Sequence, residues 1–251
     1  MFRNSITTGI VLKSHRMGEC HKGVTLLTDT MGLVQAIAHG AQKNRSRLRS
    51  ATESFCLSTV YLYRDPVKNV YKITDMVVRR FFESLRKSLA LYYTATLWTE
   101  VIIKSYGGGD NNSDLFTLYV DCLELLDKMD TEWHMYISVQ FLWRFLRLCG
   151  FDPDLDNCDQ CGRSLTPEEP VALNTRSTDF LCADCSDRPR YVLDPGTRRF
   201  IDRSTREPLD QALRYRLDKT SLNNLKNTLY RLLQGLLETK LNSLECAQGI
   251  I

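Results

Sequence analysis

TTGIVL at 7–12, GVTLLT at 23–28 and LVQAIA at 33–38 are three short runs rich in Val, Ile, Leu and Thr. Such residues fit an extended, half-buried backbone. The turn-forming groups Arg16-Met17-Gly18 and Asp29-Thr30-Met31-Gly32 separate the runs. Two further runs, 55–63 and 70–76, flank Arg64-Asp65-Pro66, where Asp and Pro favour a reversal.

Five short strands so close together predict a small barrel, and the oligonucleotide/oligosaccharide-binding (OB) barrel is the commonest five-stranded choice. Strand counting leaves an SH3-like barrel open. Beyond Val77 the pattern turns helical. A long apolar helix is expected over 82–104, ended by Gly107-Gly108-Gly109. The next opens at Ser113 as N-cap, with Leu115, Leu118, Cys122, Leu125 and Met129 on one buried face. The stretch 133–149 is apolar on nearly every side, which puts it at the centre of a bundle, with Gly150 as its stop. Cys122 and Cys149 read as buried packing residues. A last helix starts near Leu222, capped by Ser221, with Leu225, Leu229, Leu232 and Leu236 inward. The fold class is α+β: an N-terminal five-stranded OB-type barrel over 1–77, a helical bundle over 78–151 and 193–251, and a zinc-binding insertion over 152–192.

That insertion carries Cys158-x2-Cys161 and, twenty residues later, Cys182-x2-Cys185. Each pair forms a tight turn that aims two sulfurs at one point, and two such turns supply the four thiolates of a closed tetrahedral zinc site. Gly162 follows the first pair, where a knuckle needs a residue tolerant of positive φ. A redox pair would instead open a helix in a thioredoxin-like unit, and that pattern is absent. Four cysteines leave the metal no open position, so the one zinc ion is read as structural rather than hydrolytic. The N-terminus lacks the apolar stretch of a secretory signal. Nine cysteines without an export signal argue against a disulfide framework. The most apolar candidate span, 89–103, is broken by three threonines and Glu100, and no membrane partner is expected. The default compartment is the cytoplasm, at the nucleoid for a protein on DNA.

The net charge of +3 is less informative than its distribution. Residues 1–52 carry Arg3, Lys13, Arg16, Lys22, Lys43, Arg45, Arg47 and Arg49 against Glu19 and Asp29, and hold three of the four histidines. Residues 108–160 set eleven acids against Lys128, Arg144 and Arg147. So polarised a chain offers its basic end to a polyanion. Within it, AIAHGAQKNRSRLRS at 36–50 places Lys43, Arg45, Arg47 and Arg49 at every second residue with no acid between. Such a segment neutralises several phosphates at once, with salt-sensitive and largely sequence-independent binding. The bland alternative is a solvated loop. Aromatic side chains for stacking on bases are sparse nearby, with Phe55 and Tyr61 the nearest in sequence.

Gly9-Ile10-Val11-Leu12, Gly18-Glu19, Leu27-Thr28 with Gly32, Ala38-x-Gly40-Ala41 and Ser46-Arg47-Leu48 together resemble the N-terminal domain of the bacterial recombination mediator family RecO. The order of parts is also similar: barrel, helices ending in Leu148-Cys149-Gly150-Phe151-x-Pro153, two Cys-x-x-Cys pairs, terminal helices. The resemblance implies binding of single- and double-stranded DNA and annealing of complementary strands. It also implies contact with the acidic C-terminal tail of single-stranded DNA-binding protein and, with RecR, help in loading RecA onto coated strands. Lys43, Arg45 and Arg47 match the family's basic stretch after the third strand; Arg49 joins them on charge alone. His39 stands where the family usually has Lys or Arg, and Leu241-Asn242-Ser243-Leu244 replaces a Ser-Arg-rich ending. Arg79, Arg80, Arg86 and Lys87 are candidates for the rim of a tail-binding pocket.

No enzyme is expected. There is no Gly-x4-Gly-Lys-Ser/Thr loop, and Gly107-Gly108-Gly109-Asp110 lacks the following Lys-Ser/Thr. An enzymatic alternative would draw on Asp152, Asp154 and Asp156 with His134. The remaining alternative is a zinc-ribbon interaction scaffold or transcription accessory without annealing activity.

Overall fold

A computed structural model describes residues 3–105, 112–187, 191–247 and 249–251. The glycine run at 107–109 and Asp110 lie outside these. The N-terminal strands are β1 (Asn4–Met17), β2 (His21–Thr28), β3 (Gly32–Ala38), β4 (Cys56–Asp65) and β5 (Val70–Phe81), with a single helical turn α1 (Leu48–Ala51) between β3 and β4. They close into a barrel in the order β1-β2-β3-β5-β4, with β4 returning to β1. All pairings are antiparallel except β3 with β5, which run parallel. The alternating pattern fills the barrel with Val11, Val24, Leu26, Val34, Val60 and Leu62, all buried. β1 bends between Val11 and Lys13, where its register with β2 slips, and so reaches both neighbours. β5 extends four residues past Val77, so the helical region starts later than the sequence pattern suggested.

The helices are α2 (Glu83–Lys87), α3 (Leu89–Lys104), α4 (Asn112–Lys128) and α5 (His134–Leu148). The small strands β6 (Val171–Leu173), β7 (Phe180–Leu181) and β8 (Val192–Leu193) follow, and then α6 (Pro195–Arg206), α7 (Leu209–Ala212), α8 (Lys219–Leu236) and α9 (Asn242–Cys246). The single helix expected over 82–104 is two. Ser88 takes an extended conformation and its hydroxyl accepts the Leu91 N–H, capping α3. α4 opens at Asn112, so Ser113 lies inside it. Its fully buried positions are Leu115, Tyr119, Cys122, Leu123 and Leu126, a face turned from the expected one. Tyr119 is the reason: its ring is wholly buried and its hydroxyl meets Thr99 at 2.7 Å, so a polar-tipped residue serves as core.

α5 is the central helix. Phe141 stacks on Trp98 at 4.6 Å and on Phe145 at 5.9 Å, and the Trp98 N–H donates to Ser138. Gly150, at φ +80°, ends it in the left-handed region. Cys122 is buried as expected, but Cys149 is exposed at the helix C-cap, where the backbone leaves the packed face. α8 begins three residues before Leu222, with Asp218 rather than Ser221 as its cap: the carboxylate accepts the N–H groups of Thr220 and Ser221. Leu236 is exposed, and Leu233 takes the inward place one turn after Leu229. Strands β7-β6-β8 form a small antiparallel sheet within the stretch read as irregular, and Phe180, Val171 and Leu193 bury their side chains in the same core as the helices.

Candidate metal centre and cationic barrel face

Cys158, Cys161, Cys182 and Cys185 converge, their sulfurs all lying within 4.8 Å of one another. Two local turns produce this. The Gly162 N–H donates to the Cys158 carbonyl at 2.8 Å, and Gly162 has φ +69°, closing the first knuckle. β7 delivers the second pair, and the Cys182 N–H points at the Cys158 sulfur at 3.3 Å. The separation Cys161 Sγ to Cys182 Sγ is 4.0 Å, close to the roughly 3.8 Å edge of a tetrahedron with metal–sulfur bonds of about 2.3 Å. It is also far too long for a disulfide. Burial opposes ionisation of Cys158, yet the N–H groups of Cys161, Cys182 and Gln160 outweigh it and draw the thiol down to about 6. Beside the cluster, Arg163 forms a two-pronged pair with Glu169 at 2.9 and 2.7 Å. The donor set fits a soft, tetrahedral cation.

The insertion is latched to α6 by Arg198. Its guanidinium donates to the carbonyls of Leu155 (2.6 Å), Thr166 (2.6 Å) and Glu169 (2.9 Å), and the residue is buried. Asp194, the cap of α6, accepts from Thr197 at 2.9 Å and also from Ser221 of α8, tying α6 to α8.

The basic segment leaves β3 at the barrel rim. Lys43, Arg45, Arg47 and Arg49 are all exposed. A chain of turns holds it: the Lys43 N–H donates to Gly40, Ser46 to Lys43, and Arg49 to Ser46. Among the described residues Lys43, Arg45 and Arg47 form no ion pair, while Arg49 donates to the side-chain amide oxygen of Asn44 at 3.0 Å. Lys22, counted with the basic end, turns inward instead. It is buried and pairs with Glu53 at 2.7 Å, so it contributes to folding rather than to the surface.

Sequence reasoning named His39 beside this segment but missed its partner His21. His39 is exposed at the end of β3, edge-on to His21 with ring centroids 4.7 Å apart. The His21 Nδ1 accepts the Gly40 N–H at 3.0 Å, fixing where the segment departs. Partial burial, then His21, then Lys72 and Lys68, hold the His39 imidazole below its ordinary pKa. Lys72 itself pairs with Asp65 at 2.8 Å, and with the N–H groups of Lys68 and Val67 it holds that carboxyl at about 2. The available signal was the concentration of three histidines in the first 52 residues. Phe55, by contrast, is buried and Tyr61 half-buried.

Of the candidate pocket-rim residues, Arg86 and Lys87 line one cavity with Ser50, Phe81 and Glu83. Arg80 pairs with Glu124 and Asp127, Lys87 with Glu83, and Arg79 donates to Thr59. Arg86 sits over the Phe81 ring. His134 and the Asp152–Asp156 loop lie at opposite ends of α5, about 20 Å apart along its axis. Asp152 pairs with Arg147, and Asp154 accepts N–H groups of its own loop. No helix among the described residues is long and apolar enough to cross a membrane.

A closed barrel with a cationic rim, joined to a helical bundle that carries an insertion with four clustered cysteines able to hold a metal ion, defines the class of protein. Residues 1–82 match the family described as Recombination protein O N terminal, and residues 86–245 match Recombination protein O C terminal. The chain belongs to the RecO family. Similar curated proteins named "DNA repair protein RecO" include that of Desulforamulus reducens, 31% identical over 73% of this chain and 70% of its own length. That of Rubrobacter xylanophilus is 32% identical over 75% of each chain, and that of Clostridium acetobutylicum 26% identical over 90% of this chain and 88% of its own.

Proposed function

We propose that this chain is a DNA-binding mediator of recombinational repair that anneals complementary strands, and that its four cysteines hold one structural zinc ion. The observation that carries the DNA reading is the run of exposed Lys43, Arg45 and Arg47, which have no ion pair among the described residues. Cations without protein partners exchange their counterions for phosphates at little cost. Two strands held on such a surface repel each other less, and their bases supply the recognition, so no nucleotide hydrolysis is required.

The strand order β1-β2-β3-β5-β4 with one parallel seam supports an OB-type barrel over an up-and-down meander. The clustered thiols, and the backbone N–H groups that favour the Cys158 thiolate, support zinc, bound without an open coordination position. Family membership supports single- and double-stranded DNA as ligands, RecR and the acidic tail of single-stranded DNA-binding protein as partners, and RecA as an indirect beneficiary. It also supports a cytoplasmic, nucleoid-associated, non-enzymatic role. The deciding experiment mixes complementary oligonucleotides, bare or coated with the cognate binding protein, with the purified chain and no ATP. Accelerated, salt-sensitive pairing is expected. Pairing no faster than the uncatalysed rate rejects annealing in favour of a scaffold.

A further inference from the structure

The strand registers define the outward side of the β1-β2-β3 wall. His15 pairs with Gly23, Met17 with His21, and Gly23 in turn with Ile37; Ile37 lies opposite Lys72 across the parallel seam. Residues opposite one another in a sheet share a face, so His15 and His21 lie on one surface, and His39, in the turn just past β3, joins them through its ring contact with His21. Gly23 supplies the decisive detail. A Cβ on it would stand 2.3 Å from Cε1 and 2.5 Å from Nε2 of His15, so the imidazole rests on bare backbone of the neighbouring strand. Gly23 is buried beneath it while His15 is exposed. His39, braced by His21, offers a second ring. By strand spacing and rise the two rings are roughly 12 Å apart, so each would meet a different base.

We infer that this face seats one unpaired DNA strand, with His15 and His39 stacking on its bases and the adjoining basic segment holding its phosphates. The inference rests on the DNA-binding reading above and adds a strand preference to it. The charge on the face fits that occupant. Exposed Lys13 lies on it, and the segment carrying Lys43 departs from its edge at Gly40. Asp65 is neutralised by Lys72. The other acid nearby, Glu19, lies in the β1–β2 turn. Every base has a π-face, so stacking on imidazole is sequence-tolerant, and duplex bases are already stacked on one another. The basic segment alone would hold duplex and single strand alike; the rings distinguish them.

The test is fluorescence titration of an oligothymidine and of a duplex of equal length with the full chain. His15→Ala is expected to weaken single-strand binding about tenfold, to leave duplex binding nearly unchanged, and to keep the salt slope, since no phosphate contact is lost. His15→Phe restores the affinity. Gly23→Ala keeps the imidazole but dislodges it, and is expected to act like His15→Ala, with unchanged circular dichroism as the check on folding. Wild-type affinity in His15→Ala, or equal losses on single strand and duplex, overturns the inference while leaving DNA binding in place. An unaltered chain that binds neither nucleic acid overturns both.

Discussion

Replacing Lys43, Arg45 and Arg47 together by Ala tests the basic segment most directly, because each side chain is exposed and none is engaged in an ion pair among the described residues. The substitutions therefore remove charge without breaking a fold contact. Each lost phosphate contact takes roughly 0.7 from the slope of log affinity against log salt on single-stranded DNA. Three lost contacts flatten the slope by about 2, and relative to a 1 M reference they weaken binding about 100-fold at 0.1 M salt. That is roughly 2.7 kcal/mol. Fluorescence anisotropy with a labelled oligonucleotide between 0.05 and 0.5 M salt, on the order of a tenfold range, reads both quantities. Lys22→Ala is the internal contrast. Its amine is buried against Glu53 and the Arg49 carbonyl, so the variant should melt earlier with the salt slope intact. A triple variant with the wild-type slope would refute the argument, whatever its affinity.

Cys158→Ser should abolish stoichiometric zinc, measured by mass spectrometry under native conditions, and lower the melting temperature, because the insertion has only a small sheet of its own; full zinc retention would reject the ligand set. Arg198→Ala leaves the carbonyls of Leu155, Thr166 and Glu169 without their donor and should cost about 3 kcal/mol in thermal or urea unfolding. An unchanged unfolding midpoint would mean that the latch is redundant. DNA affinity should rise on acidification. Partial burial, then His21, Lys72 and Lys68, hold His39 below its usual pKa in the free protein, and a bound phosphate raises it, so binding takes up a proton. Affinity grows as pH falls through the bound-state pKa and levels off below the free one, and His39→Gln should remove that component of the pH profile.

Much of the molecule was legible from local pattern. Runs rich in Val, Ile, Leu and Thr between turn residues announced the strands, and the Cys-x-x-Cys spacing announced a convergence of sulfurs, because a knuckle is formed by four or five consecutive residues. Errors arose where a side chain's role depends on a distant neighbour. Tyr119 falls outside the expected apolar face until Thr99 meets its hydroxyl, Lys22 counts with the basic end until Glu53 is found beside it, and Ser88 looks like mid-helix until its cap bond to Leu91 is seen.

The sequence by itself determined a β-rich start, a helical continuation, a four-cysteine site and a cationic segment, all of which are written in neighbouring residues. Only the tertiary structure decided that His15 and His21 share one face and that His39 joins them there, since cross-strand register, not sequence distance, sets which side chains meet in a sheet. It also decided which of the cations remain in water, because an ion pair such as Lys22 with Glu53 joins residues that only the closed barrel brings together.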